Sequence, residues 1–204
     1  PVIAAASQRA IRSGGSLRKA LEVAGRIREE SAAPLVLFSY VNPLIAFGEE
    51  QLPKALAAVG VDAVLVVDLP PEEGAELRAG LARESIAVIP LIAPTTDPER
   101  EAHVLGGAQG FVYYVSSTGV TGLGDAPLAA AAARARAIAG RSSLPVVVGF
   151  GVDGPEKAQI LARAGVDGVV VGSAIVKAIA AAQGRPARVN AVTALVASLR
   201  NALV

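Results

Sequence analysis

The sequence predicts an α/β protein whose strands lie in a parallel sheet covered by helices. Three observations carry this reading. Short β-branched runs such as Ala63-Val64-Leu65-Val66-Val67 and Val146-Val147-Val148 are apolar throughout, without the period-two alternation of a half-solvated strand. Ala-rich helical stretches alternate with these runs in regular succession. At the helix-to-strand junctions, Val59-Gly60-Val61-Asp62 and Ala164-Gly165-Val166-Asp167 each offer a glycine that can end a helix in the left-handed conformation.

In chain order, two helices come first, at about Val2–Arg12 and Leu17–Glu30. Strands are then expected at Leu35–Tyr40, Ala63–Asp68, Ala87–Ile92, Gly110–Val115, Val146–Gly149 and Gly168–Val171. The intervening helices are expected at Glu49–Val59, Glu72–Glu84, Pro98–Leu105, Pro127–Ala139 and Pro155–Ala164. Ala174–Ala182 and Arg188–Leu203 follow the last strand. Pro98 and Pro155 stand directly after Asp97 and Gly154, the arrangement of a cap residue with proline at the first helical position. Gly106-Gly107-Ala108-Gln109-Gly110 is expected to serve as the helix end before the fourth strand. Six strand–helix units after two leading helices fit a (β/α) barrel without its first two strands, or a doubly wound open sheet; periodicity does not separate the two.

Bulk composition narrows the function. The 204 residues suffice for one domain, here expected to span 1–204. Hydrophobic residues make up 52% and charged residues 18%, which excludes disorder. A net charge of +1 leaves no field to recruit nucleic acid or an anionic membrane. There is no Cys, hence no disulfide, thiolate chemistry or Cys-type zinc site, as suits a reducing, cytoplasmic setting. The single histidine, His103, falls within a helix and leaves little room for a triad or a metal cluster. No apolar run reaches the ~20 residues of a membrane helix, and the first residues do not read as a signal peptide. The chain opens on Pro1, so it is expected to be processed, trimmed or a fragment.

The strongest chemical signal lies at the ends of the last two strands. Val146-Val147-Val148 runs into Gly149-Phe150-Gly151, and Val169-Val170-Val171 runs into Gly172-Ser173, with helices close behind both. Converging backbone N–H groups at glycines and helix N-termini are what a phosphate requires. Glycines also permit tight turns, but two such loops on successive final strands favour a substrate phosphate. Tyr113-Tyr114-Val115 leads into a Ser/Thr/Gly-rich segment ending Thr121-Gly122-Leu123-Gly124, the composition of a lid or of a plain surface loop. Neighbouring tyrosines point to opposite faces, so at most one enters the site. Asp68 is an acid at a strand end, whereas Glu72, Glu73, Glu49 and Glu50 read as helix-start acids. Asn42-Pro43 reads as a turn first and a ligand contact second.

These segments together resemble the tryptophan synthase alpha chain family. Ser39-Tyr40-Val41-Asn42-Pro43, Asp68-Leu69-Pro70-Pro71-Glu72-Glu73, Leu91-Ile92-Ala93-Pro94-Thr95, Tyr113-Tyr114-Val115-Ser116 with Gly119-Val120-Thr121-Gly122, Gly149-Phe150-Gly151-Val152 and Gly172-Ser173-Ala174-Ile175-Val176-Lys177 carry it in order. The resemblance implies an eight-stranded (β/α)8 TIM barrel, here with strands 3–8. It implies retro-aldol cleavage of indole-3-glycerol phosphate to indole and glyceraldehyde 3-phosphate. The alpha chain would use no metal and no cofactor, and would pass indole to the PLP-bearing tryptophan synthase beta chain of an αββα complex.

Residue by residue, the resemblance places the phosphate on Gly122, Gly149, Phe150, Gly151, Gly172 and Ser173, with Tyr113 beside the substrate. Phe38 and Tyr40 would line the indole side and Thr121 the lid. Asp68 and Pro70 would lie near the beta-chain interface. The two catalytic carboxylates of the family would fall upstream of Pro1, so this chain alone is expected to be inactive. Two alternatives stay open: another phosphosugar-binding barrel isomerase, and a non-catalytic phosphate-binding or allosteric subunit.

Overall fold

A computed structural model describes residues 2–70, 72–115, 125–149 and 151–203. The described chain falls into two compact units. One comprises Ala10–Leu91 with Ala102–Gly110, and the other Pro1–Arg9, Ile92–Glu101 and Phe111–Val204.

The chain opens with α1 (Val2–Arg12) and α2 (Leu17–Glu30), the two leading helices expected from the sequence. The Ser16 side chain caps α2 by accepting from the Lys19 N–H. Then follow β1 (Val36–Ser39), α3 (Val41–Phe47), α4 (Leu52–Ala58), β2 (Ala63–Val66), α5 (Ala75–Arg83) and β3 (Ala87–Val88). Strands β1, β2 and β3 form a parallel three-stranded sheet in that order, with Phe38 opposite Leu65 and Val64 opposite Val88. The apolar runs are buried as parallel strands should be: every residue of β2 is buried. Leu21, Leu44, Leu52, Leu56, Val64, Val66, Leu77 and Leu81 pack into one core between this sheet and its helices.

Three expectations in this unit are corrected. The Asn42-Pro43 turn is instead the first turn of α3, where proline is tolerated because its missing N–H has no intrahelical partner. Glu49 and Glu50 lie in the turn before α4, not in its first helical turn, and Glu72 and Glu73 likewise precede α5. The single strand expected over Ala87–Ile92 is two, β3 and β4 (Leu91–Ile92), separated by Ile89-Pro90. Pro90 has no N–H for a ladder, and the strand breaks there.

After β4 come α6 (Pro98–Gly106), β5 (Val112–Val115), α7 (Asp125–Ala139), β6 (Val146–Gly149), α8 (Pro155–Arg163), β7 (Gly168–Val170), α9 (Ser173–Ala181) and α10 (Gly184–Leu203). The second sheet runs β4-β5-β6-β7, with β5, β6 and β7 parallel. The Asp97 carboxylate caps α6 by accepting from the Arg100 N–H at 2.8 Å. Pro155 opens α8 behind Gly154, as expected. His103 sits exposed on α6.

The repeated Gly-Val-Asp junction proves to be one device used twice. Gly60 and Gly165 take positive φ at 73° and 75° and end their helices. Two residues on, the Asp62 carboxylate accepts the Leu35 N–H at 2.7 Å just ahead of β1, and Asp167 accepts the N–H of Val146, the first residue of β6, at 2.8 Å. Each aspartate thus ties the start of its own strand to the start of the strand before. Arg28 reinforces the first junction, donating to the Gly60 carbonyl and pairing with Asp62 at 2.6 Å. In the glycine-rich segment before β5, the left-handed residue is Gly110, next to the strand and not at the helix end.

Candidate functional site

The second sheet supplies the site. β5, β6 and β7 are parallel neighbours, so their C-terminal ends open on one side. Register puts Val115 opposite Gly149, and Gly149 opposite Val170. Tyr113, Val115, Val147, Gly149, Gly168 and Val170 therefore share one face, and Val112, Tyr114, Val146 and Val148 the other. The second face packs towards the helices: Val112 and Val148 are inaccessible and Tyr114 is buried. Tyr113 turns the opposite way and is also buried, at 6% exposure.

The three glycines of the two strand-end loops are glycine for three different reasons. At Gly149 a β-carbon would overlap the Tyr113 hydroxyl and come within 2.8 Å of its Cε2, so the residue makes room for the phenol. At Gly151 the backbone has φ 81°, which other residues adopt only with strain. At Gly172 neither reason holds. Its φ is −119°, and a β-carbon would meet nothing within 4 Å. Glycine there leaves open ground over the N-terminus of α9, which begins at Ser173. Ser173 is half-buried and Gly172 exposed.

Lys157, which sequence reading passed over, belongs to the same loop. From the first turn of α8 its ammonium donates to the Gly151 carbonyl at 3.3 Å and to the Asp153 carboxylate at 2.9 Å. The i,i+4 spacing of Asp153 and Lys157 was the available signal. Burial pushes the Tyr113 phenol above its ordinary value of 10.0, so at neutral pH it is a protonated donor. Phe150, Thr121 and Gly122 lie outside the described residues.

A buried charge sits behind the site. Glu101, 1% exposed, forms an ion pair with Arg134 at 2.5 Å and another with Arg141. Burial raises the Tyr114 phenol as well; Arg134 opposes that shift and Glu101 adds to it. Among the described residues, no group of three or more His, Asp or Glu side chains is placed to hold a metal ion. Nor is any described helix long and apolar enough to cross a membrane.

The other candidates belong to the first unit. Phe38 and Tyr40, at the end of β1, are 55% and 64% exposed. Asp68, at the end of β2, accepts the Val41 N–H at 2.8 Å and so caps the start of α3. One oxygen of that exposed carboxylate is thereby engaged. Pro70 accepts the Glu73 N–H at 3.1 Å in the turn before α5.

Parallel strands with glycine-bearing loops at their C-terminal ends occur in many α/β proteins, and comparison with known proteins decides which this is. The profile of the tryptophan synthase alpha chain matches residues 1–204. The chain belongs to that family. It is 48% identical to the tryptophan synthase alpha chain of Citrifermentans bemidjiense over 184 residues, covering 90% of this chain and 68% of the relative. It is 43% identical to that of Chromobacterium violaceum over 204 residues, covering 100% and 77%. Among solved structures, tryptophan synthase subunit alpha from Legionella pneumophila matches with a TM-score of 0.87 at 32% identity, covering 100% of this chain and 75% of the other. A structure of the tryptophan synthase a2b2 complex from Pyrococcus furiosus matches with a TM-score of 0.86 at 33% identity, covering 98% and 80%.

Family membership settles the architecture left open by periodicity. The strand–helix units are those of the family's (β/α)8 barrel, not of a doubly wound open sheet. It also makes the chain a member of a lyase family of tryptophan biosynthesis.

Proposed function

We propose that the chain binds indole-3-glycerol phosphate, and that its described strand ends form the phosphate-holding part of a retro-aldolase site. The observation that carries this is Gly172. Nothing in its backbone or packing requires glycine, and it stands where a helix N-terminus and a strand end meet. Gly149, Gly151, Ser173 and, in the same reading, Phe150 and Gly122 complete the phosphate cradle. Tyr113 would stand beside the bound substrate as a neutral phenol. Thr121 belongs to the lid, and Phe38 and Tyr40 to the indole side. Asp68 and Pro70 would take part in communication with a beta chain, to which indole passes in an αββα assembly. The alpha chain needs no cofactor for this cleavage, and PLP chemistry belongs to the beta chain.

Retro-aldol cleavage requires a general acid–base pair to move protons at the indole ring and the glycerol hydroxyl. In this reading Asp68, which holds the Val41 N–H with one oxygen, serves communication and not proton transfer. The resemblance to the tryptophan synthase alpha chain family implies that the proton-transferring carboxylates belong to a segment of the single barrel domain other than these 204 residues, which are then expected to bind without turnover. Calorimetric titration with indole-3-glycerol phosphate and a panel of sugar phosphates tests the binding half. Preference for a phosphosugar lacking indole would overturn it. Indole release by the 204-residue chain at a rate typical of enzymes, on the order of 1 per second or more, would overturn the placement of the acids.

A further inference from the structure

Gly151 and Asp153 both lie in the segment between β6 and α8, and a single ammonium bridges them. Lys157 Nζ donates 3.3 Å to the Gly151 carbonyl and 2.9 Å to the Asp153 carboxylate. The side chain is 19% exposed, its helix is anchored by the buried Ala158 and Leu161, and Val152 is buried in the segment before it. The cation is therefore mounted on a fixed base, and what it holds is the loop.

A backbone that presents N–H groups to an anion must keep its carbonyl oxygens turned elsewhere, because those oxygens repel the same anion. The Gly151 carbonyl, accepting from Lys157, is committed to the side of the ammonium. Gly151 also has the freest backbone of any residue type, and its left-handed φ of 81° is one of several conformations open to it. A loop left to wander among them would have to be ordered on binding, at the expense of affinity. Paired with Asp153, the ammonium adds no net charge at the start of α8, and its contribution is to hold the backbone in place.

We propose that Lys157 is a positioning residue of the phosphate site: its ammonium holds Gly151 and Asp153 together and so fixes the Gly151 backbone in its anion-receiving form. This inference rests on the assignment of that loop to a phosphate. Lys157 does not touch the reacting atoms, and its effect belongs to affinity and not to bond cleavage.

The test uses the 204-residue chain and two probes, inorganic phosphate and glycerol 3-phosphate, with affinities read by calorimetry and folding by thermal melts. Lys157→Met, which keeps the aliphatic stem and loses the ammonium, is expected to weaken both probes about tenfold. Lys157→Arg, which retains charge and donors, is expected to restore affinity to within about threefold of the parent. Lys157→Gln provides the same comparison with a polar side chain should K157M not fold, and the same loss is expected. Gly172→Val controls for the site itself. If K157M and K157Q bind as the parent does while Gly172→Val abolishes binding, the role of Lys157 is overturned and the phosphate site stands. If K157R is as weak as K157M, the ammonium is not the agent and the proposal fails. If Gly172→Val also leaves both probes bound as before, the phosphate assignment fails with it.

Discussion

The Tyr113 phenol lies across the α-carbon of Gly149, in the space that a β-carbon on that residue would occupy. Two adjacent strands thus share one volume, and the glycine is the reason the tyrosine fits. Tyr113 and Gly149 should therefore be energetically coupled. Gly149→Ala forces the ring aside and is expected to cost about 1–3 kcal/mol by overpacking. Tyr113→Ala leaves a cavity and costs about 3–5 kcal/mol. In the double variant the new methyl enters vacated space, so the total should not exceed that of Tyr113→Ala alone. Urea unfolding of the four proteins measures this cycle. Strictly additive losses would show that the two residues do not compete for the same volume.

Gly172 should behave in the opposite way. A β-carbon there meets nothing and the backbone is not left-handed, so Gly172→Ala is expected to change stability by no more than about 0.5 kcal/mol. Gly172→Val should be similarly tolerated by the fold while losing phosphate affinity. A loss of several degrees in melting temperature for Gly172→Ala would mean that the glycine serves the fold and not a ligand.

The contrast between these two glycines marks how far sequence reading reaches. Both stand at the end of a Val-Val-Val run, and spacing placed both at strand ends correctly. What distinguishes them is a tyrosine on the neighbouring strand, brought alongside by a crossover. The same holds for Asp62 and Asp167. Their repeated motif was visible, but their hydrogen bonds to Leu35 and Val146 depend on strand pairing across 27 and 21 residues. Local signals misled where two of them competed. Asn42-Pro43 has turn chemistry and also suits a helix's first turn, and tertiary packing of Leu44 selects the helix. Glu101 left no trace at all, since one glutamate in an amphipathic helix reads as solvent-facing until Arg134 and Arg141 close over it.

That cluster gives an asymmetric prediction. Glu101 is buried, whereas Arg134 and Arg141 keep 29% and 48% of their side chains exposed. Replacing the acid frees two cations that can turn to water; replacing the cations strands a carboxylate that cannot. Glu101→Leu is therefore expected to cost little, within about 1.5 kcal/mol, as buried ion pairs often do when exchanged for apolar side chains. Arg134→Met with Arg141→Met should cost about 3–5 kcal/mol, the usual penalty for an uncompensated buried charge. Chemical denaturation at neutral pH separates the two. Equal losses would indicate that the carboxylate finds water in the folded chain.

Alkaline pH should reveal the two buried tyrosines. Burial holds both Tyr113 and Tyr114 above the value of 10.0 that an exposed phenol has. Below about pH 10 each phenol carries its proton folded and unfolded alike, and neither affects the pH dependence of stability. Above that point the unfolded chain releases these protons first, so it binds fewer than the folded chain does and stability falls as pH rises. Each tyrosine can contribute a slope of up to about 1.4 kcal/mol per pH unit in this window. Tyr113→Phe and Tyr114→Phe should each flatten the loss of urea resistance as pH rises above about 10. For Tyr114 the carboxylate of Glu101 strengthens the effect and Arg134 weakens it, so Glu101→Leu should also reduce the slope that Tyr114 contributes. An unchanged alkaline slope in Tyr113→Phe would mean that this phenol reaches solvent in the folded protein and cannot be the dry, neutral donor placed beside the phosphate loop.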